Sequence, residues 1–190
     1  MENRGLADAL RAVGLTATAS VGYLDELRLG LVGTTRRRWG IRGVKIVQPL
    51  QRRYEWTYLV LVVDGVNGRL AWTWQPTMKA DHLLASLHTL QQQQPVAALV
   101  WDGAPAHRER RVAALDLPRI ALPASSPELN PAERIFEEVR RHVEGDVYAT
   151  LDEKKAQAAT YLTALAADPT RLRSLAGWDW IQDDFDQRVC

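Results

Sequence analysis

Apolar and polar positions set the element boundaries along most of this chain. Val21, Tyr23, Leu27 and Leu29 fall on one parity around Asp25, and "VGYLDELRLGLVG" is predicted to be a strand. The alternating "GVKIVQPLQ" is predicted to be another. "EWTYLVLVVDGVNGRLAWTWQP" holds two apolar runs split by "DGVNG", the pattern of a β-hairpin. Leu83, Leu84, Leu87 and Leu90 recur at helical spacing in "KADHLLASLHTLQQQQ", with the glutamine run at the helix end. "VAALVWD" is short and wholly apolar up to its aspartate, as a buried central strand is. A short helix is predicted over "HRERRVAALD", a last short strand over "LPRIALP", and helices over Leu6–Val13, from Pro131 to about Val143, and over "LDEKKAQAATYLTALAAD". Strands come first and are then interleaved with helices. That order predicts a mixed sheet with helices covering it.

Composition narrows the class. The chain has 190 residues, 46% hydrophobic and 25% charged, which suits one domain with a core. No apolar run approaches the roughly 18 residues of a membrane helix, and the N-terminus lacks the apolar core of a signal peptide. The sole cysteine is Cys190, so an internal disulfide and a cysteine zinc cluster are both excluded. A cytoplasmic protein is expected. The net charge of +1 hides an asymmetry. Eight basic residues and no acid lie between Arg28 and Arg53, while four aspartates crowd the last 13 residues. The basic stretch fits either a polyanion surface or a solvated strand edge.

Three acids stand out by position. Asp102 follows a buried strand directly, at the carboxyl end of the sheet, where α/β folds bind ligands; a turn or cap role is the plain alternative. Asp25 lies mid-strand, where aspartate is unfavourable, and Glu26 beside it must point to the opposite face; an edge strand with two solvated acids is the plain alternative. Asn130 and Pro131 mark a helix start, at N-cap and N1. Glu133 is then N3 of what resembles a capping box, a complete structural account of that residue. The buried stripe of this helix is Ile135, Phe136, Val139 and Val143. Glu133 belongs to a second stripe with Glu137, Arg140 and Glu144, about a quarter-turn away. If the three acids converge they need protons or cations. Oxygen-only ligation suits Mg²⁺ or Mn²⁺, and a pair of such ions serves phosphodiester chemistry.

"YLDE", "WDGAPAH" and "SPELNPAE", in that order, resemble the signatures of DDE-type transposases, in the bacterial insertion-sequence branch of the mariner-like superfamily. "RRWGIRG" and the hairpin segment fit as well, and the resemblance covers about residues 21–145. It implies an α/β, ribonuclease-H-like fold: a mixed five-stranded sheet flanked by helices. The expected divisions are a short helical segment (1–19), the catalytic core (20–148) and a helical extension (149–190). The resemblance carries catalysis and two-metal Mg²⁺ or Mn²⁺ binding onto Asp25, Asp102 and Glu133. The activity implied is DNA strand cleavage and strand transfer on transposon ends and target DNA, by a homo-oligomer associated with the bacterial nucleoid. The spacing of thirty residues between Asp102 and Glu133 is slightly short for this superfamily, and Gly103 stands where many relatives have asparagine. Relatives also carry helix-turn-helix modules upstream. Only twenty residues precede the first strand here, so a catalytic domain alone is expected, served by a missing domain or an upstream partner.

Arg36, Arg37, Arg38, Arg42 and Lys45 are expected to contact DNA phosphates, which positions a duplex without reading it. Trp39 is the stacking candidate. Trp72 and Trp74 share one strand face and read as core. His107 is expected either to contact a phosphate or to orient a metal ligand; a cap or packing role at the helix start is the plain alternative. Glu26 and Glu137 read as surface acids, and Trp178 and Trp180 as packing that docks the C-terminal segment. Rival readings are a non-catalytic DNA-binding or assembly remnant, a metal-dependent nuclease that cuts without joining, and a glycoside hydrolase. The last also needs paired carboxylates, but it explains neither the basic stretch nor the motif order.

Overall fold

The strand carrying Asp25 occupies the middle of the sheet. The computed structural model describes residues 4–15, 19–35, 37, 39–104, 107, 109–123 and 126–181. After α1 (Arg4–Ala12) come β1 (Val21–Gly30) and the hairpin of β2 (Trp56–Asp64) and β3 (Arg69–Gln75). Then follow α2 (Ala80–Gln93), β4 (Ala98–Trp101), α3 (Arg110–Ala113), β5 (Arg119–Ala121), α4 (Pro131–Val143), α5 (Leu151–Ala166) and α6 (Pro169–Ala176). The five strands lie in the order β3-β2-β1-β4-β5. β1 pairs antiparallel with β2 and parallel with β4, so the sheet is mixed, as the element order predicts.

Side-chain alternation in β1 divides the core in two. Val21, Tyr23, Leu27 and Leu29 pack with Leu61, Val100 and the apolar stripes of α4, α5 and α6. Leu24 packs on the other face with Val60, Val62, Trp101, Leu83 and Leu87 of α2, and Val112 of α3. Ile135, Phe136, Val139 and Val143 are all buried, as the helical spacing predicts. Trp72, Trp74, Trp178 and Trp180 pack, partly buried, against the first cluster. Gln94 caps the C-terminus of α2, so the glutamine run does sit at a helix end.

Two elements differ from the sequence reading. "GVKIVQPLQ" is not a strand, and no strand occurs between Gly30 and Trp56 among the described residues. Both edges of β1 are already taken by β2 and β4. Val44, Ile46 and Val47 are all exposed, so the alternation has no buried face to serve. Removing that strand leaves the five that the resemblance implies. α6 is the second difference. Asp168 caps it by accepting from the Arg171 amide, and Pro169 opens it.

The segment between β1 and β2 is pinned at its base. The Leu31 amide donates to the Glu55 carbonyl, and Gly33 to Gln51. Gln51 Nε2 donates to the Tyr148 carbonyl and Arg53 to that of Ala149, ahead of α5. Buried Lys154 of α5 donates to the carbonyl of Gly30 at 2.6 Å. In the β2–β3 turn, Gly68 has a φ of 62°, and a Cβ there would run into the Pro169 carbonyl. The turn therefore sits directly against the start of α6.

Candidate active site

β1 and β4 run side by side with Tyr23 opposite Val100. Carrying that register two residues onward sets Asp25 beside Asp102, where β4 has just ended. Strand neighbours are about 4.8 Å apart, and residues two apart share a face. Asp25 and Asp102 thus belong to the face covered by α4. That helix starts where Asn130 and Pro131 place it. The Asn130 side chain accepts from the Ala132 amide as an N-cap. The same side chain reaches into β1: its Nδ2 donates to the Leu24 carbonyl at 3.2 Å and to Asp25 Oδ2 at 3.1 Å. One buried asparagine therefore begins the helix and fixes it to the strand beside the first acid.

Glu133 does not complete a capping box. The Asn130 amide that its carboxylate would accept from donates instead to the Pro127 carbonyl, closing the 3₁₀ turn Pro127–Leu129. The Glu133 carboxylate is half-exposed, 3.8 Å from Arg140 Nη1. Asp25, Asp102, Asn130 and Glu133 all line one cleft of about 640 Å³, together with His107 and Pro127. The three predicted acids come from three distant stretches of chain to one wall.

Of the three acids, Asp25 is the one whose electrostatics are most disturbed. Burial pushes the Asp25 carboxyl up to about 7 from an ordinary 3.8. The Glu26 amide, donating to Oδ1 at 2.7 Å, opposes this. The charges of Glu26, Glu133 and Asp102 add to it. All donors among the three acids are carboxylate oxygens, the set that suits Mg²⁺ or Mn²⁺. No group of three or more His, Cys, Asp or Glu among the described residues is drawn together into a finished metal cage. The acids fit a hard divalent cation in kind and in charge, and they share the cleft wall without enclosing a site.

Glu26 departs from its simplest reading, and it does so by meeting His107. Glu26 is not a surface acid: its side chain is 4% exposed, with Oε1 3.0 Å from His107 Nε2. His107 is also buried, its ring stacked on Trp101 at 4.3 Å and nearly parallel. Its Nδ1 lies 3.0 Å from the Asp102 carbonyl and 2.8 Å from Asp102 Oδ1. Burial acts to lower the pKa of this ring, but the hydrogen bond and charge of Glu26, followed by Asp102, outweigh it and raise it. A ring held this way is placed to orient Asp102. Glu26 and Asn130 thus make contacts at the cleft that the motif reading did not assign to them. Their one sequence signal is position: Glu26 neighbours Asp25, and Asn130 caps the helix of Glu133.

Among the expected DNA contacts, Arg37, Trp39, Arg42 and Lys45 are exposed in the segment between β1 and β2, while Arg36 and Arg38 lie outside the described residues. Ile41, Val44 and Val47 in the same segment are exposed too, so it presents apolar as well as basic side chains.

Solved structures share this architecture. The mariner Mos1 paired-end complex with Mg matches at a TM-score of 0.66 and 16% identity, covering 100% of this chain and 62% of that one. The Mos1 mariner paired-end complex with Mn matches at 0.62 and 15%, over 96% and 60%. A Mos1 transposase paired-end complex with left transposon end matches at 0.61 and 16%, over the same shares. This chain therefore spans about three-fifths of the length of those proteins, and the likeness establishes a ribonuclease-H-like fold. No curated protein matches the chain. The model of the DDE superfamily endonucleases matches residues 20–155, which takes in all three acids and the whole sheet. The chain belongs to the DDE superfamily endonuclease family.

Proposed function

We propose that this chain is the catalytic domain of a transposase, which cuts a DNA strand and joins the freed end to target DNA with the help of divalent metal. One observation carries the reading: carboxylates from β1, from the end of β4 and from the start of α4 line a single cleft. Asp25 and Asp102 would hold one cation, and Glu133 would complete a second position. Bound there, two Mg²⁺ or Mn²⁺ ions supply Lewis-acid activation of the attacking oxygen and charge stabilisation for the leaving one. Asn130 keeps α4, and with it Glu133, in register with Asp25. His107 orients Asp102. Cleavage adds water across a phosphodiester and leaves a 3′-hydroxyl. In joining, that hydroxyl attacks a target phosphorus and displaces the target strand's own 3′-oxygen. Arg37, Arg42 and Lys45 would neutralise phosphates, with Trp39 stacking on an exposed base. The complexes of Mos1 with Mg, with Mn and with a transposon end support the choice of metal and substrate. Self-association and action in the nucleoid belong to the same proposal.

The test is a strand-cleavage and joining assay on labelled DNA, with Mn²⁺, for the wild type and Asp102→Asn. The expected result is cut and joined product from the wild type. The variant should lose about three orders of magnitude in rate, the several kcal/mol that a bound cation supplies. Cut product that is never joined would replace transposition with simple nuclease activity. Equal rates in the two proteins would remove Asp102 from the chemistry.

A further inference from the structure

Glu26 has no part in the metal reading, yet it is one of the most enclosed acids in the chain. Alternation along β1 sends it to the face opposite Asp25, the side where Leu24, Val60 and Trp101 pack. A carboxylate is costly to bury without a partner, and His107, 81 residues further along the chain, is the partner it has. The pair could be self-contained, each group merely satisfying the other. The contacts of His107 argue against that. Its second nitrogen reaches past the end of β4 to Asp102, whose side chain is 57% exposed. Asp102 is also held by the Ala104 amide, which donates to Oδ1 at 2.9 Å. Both restraints fall on Oδ1.

The donor inventory sharpens the geometry. Glu26 presents an acceptor to one ring nitrogen, and the Asp102 carboxylate and carbonyl present acceptors to the other. Neither side offers a proton to the ring, so both nitrogens are served as donors. The flat stack on Trp101 fixes the plane of the ring, and Glu26 fixes its rotation within that plane. A rigid, doubly anchored ring from the buried face thus restrains an otherwise solvent-exposed carboxylate.

We propose that Glu26 is a positioning residue of the active site: by holding His107 it fixes the orientation in which Asp102 meets a cation. The proposal rests on the metal reading above. Outer partners of this kind change metal affinity by about 10- to 100-fold when removed.

The experiment follows the thermal unfolding midpoint as Mn²⁺ is added to the wild type, Glu26→Gln, His107→Asn and the double variant, with DNA present and absent. Glutamine keeps the shape of Glu26 without its charge. Asparagine keeps an amide near the position of Nδ1 while giving up the reach to Glu26. The Mn²⁺ concentration needed for a given rise of the midpoint is expected to increase about tenfold in Glu26→Gln. In the His107→Asn background the same change should shift it less than about twofold, because groups acting through one another are not additive. A purely structural role would lower the metal-free midpoint and leave the Mn²⁺ dependence unaltered, and that result overturns the proposal. Additive effects in the double variant overturn it as well. Should Glu26→Gln fail to fold, the ¹⁵N resonances of the His107 ring are followed in the wild type as Mg²⁺ is added. They are expected to move while those of exposed His88 do not, and a His107 ring indifferent to Mg²⁺ refutes the coupling. A wild type that ignores Mn²⁺ both with and without DNA overturns the metal reading and this one together. A responsive wild type matched by Glu26→Gln overturns the role of Glu26 alone.

Discussion

Asp25 should make metal binding depend on pH. Its carboxyl stands at about 7 in the metal-free protein, chiefly through burial and then through the neighbouring acids. A cation needs the ionised form, so binding releases the proton. With that pKa, about one-tenth of the protein is ionised at pH 6 and about nine-tenths at pH 8, which weakens apparent affinity roughly tenfold at the lower pH. At pH 7 each binding event should release about half a proton from this group. His107, whose pKa is also raised, faces Asp102 and Glu26 and can add to the release, so Asp25→Asn serves to isolate the contribution of Asp25. Calorimetric titration of Mn²⁺ in two buffers of different ionisation enthalpy reads the proton count directly. Equal affinity at pH 6 and pH 8, with no proton released at pH 7, would refute the reasoning. Linkage gives a second readout without metal. The folded state holds this proton up to about pH 7 and the unfolded chain only to about 3.8. Its contribution to stability is therefore complete below pH 4 and is lost as pH rises to 7. The full difference corresponds to about 4 kcal/mol, and about half of that is expected because the carboxyl borders an open cleft. Asp25→Asn should show a flatter stability profile across that window.

Three further outcomes are expected. Asn130→Ala removes a helix cap and two bonds to β1, so denaturant unfolding should show a loss of about 2–3 kcal/mol; a loss below about 1 would mean that the bonds to Leu24 and Asp25 contribute nothing. Arg42→Ala should reduce the slope of log affinity for duplex DNA against log salt by about 0.9, and an unchanged slope would remove Arg42 from the DNA contacts. Gly68→Ala forces a methyl group against the Pro169 carbonyl at a positive φ and should cost at least about 1 kcal/mol, visible as a lower midpoint; a neutral substitution would show that the turn yields freely.

The parts of this fold that sequence made legible are those whose signal is local. Alternation around Asp25, the "DGVNG" break and the Asn130-Pro131 start each specify a backbone path by themselves. The elements that carry Asp25 and Glu133 could accordingly be given in advance. "GVKIVQPLQ" misled because alternation reports a strand only where a neighbouring edge is open, and pairing of β1 on both sides is a property of the whole sheet. α6 escaped because only Leu172 and Ala176 are buried in its two turns, too few to show a period, although Asp168 and Pro169 mark its start. Glu26 was legible as facing away from Asp25. That it would be buried depended on His107, a partner that the chain brings round only after β4 is in place. The fate of Glu133 turned on a hydrogen bond elsewhere, since Pro127 takes the amide that a capping box requires.

The segment between β1 and β2 has a consequence for how this domain can be altered. Its ends, Gly30 and Trp56, are already paired within the sheet. Closing such a loop costs only about 0.6 kcal/mol more for each doubling of its length. Beyond the pinned base formed by Leu31, Gly33, Gln51 and Arg53, its length is therefore nearly invisible to the stability of the sheet. A graft that keeps the ends and replaces the interior with a short turn would leave the cleft standing. The stretch between Gly33 and Gln51 can therefore change in length without refolding the sheet.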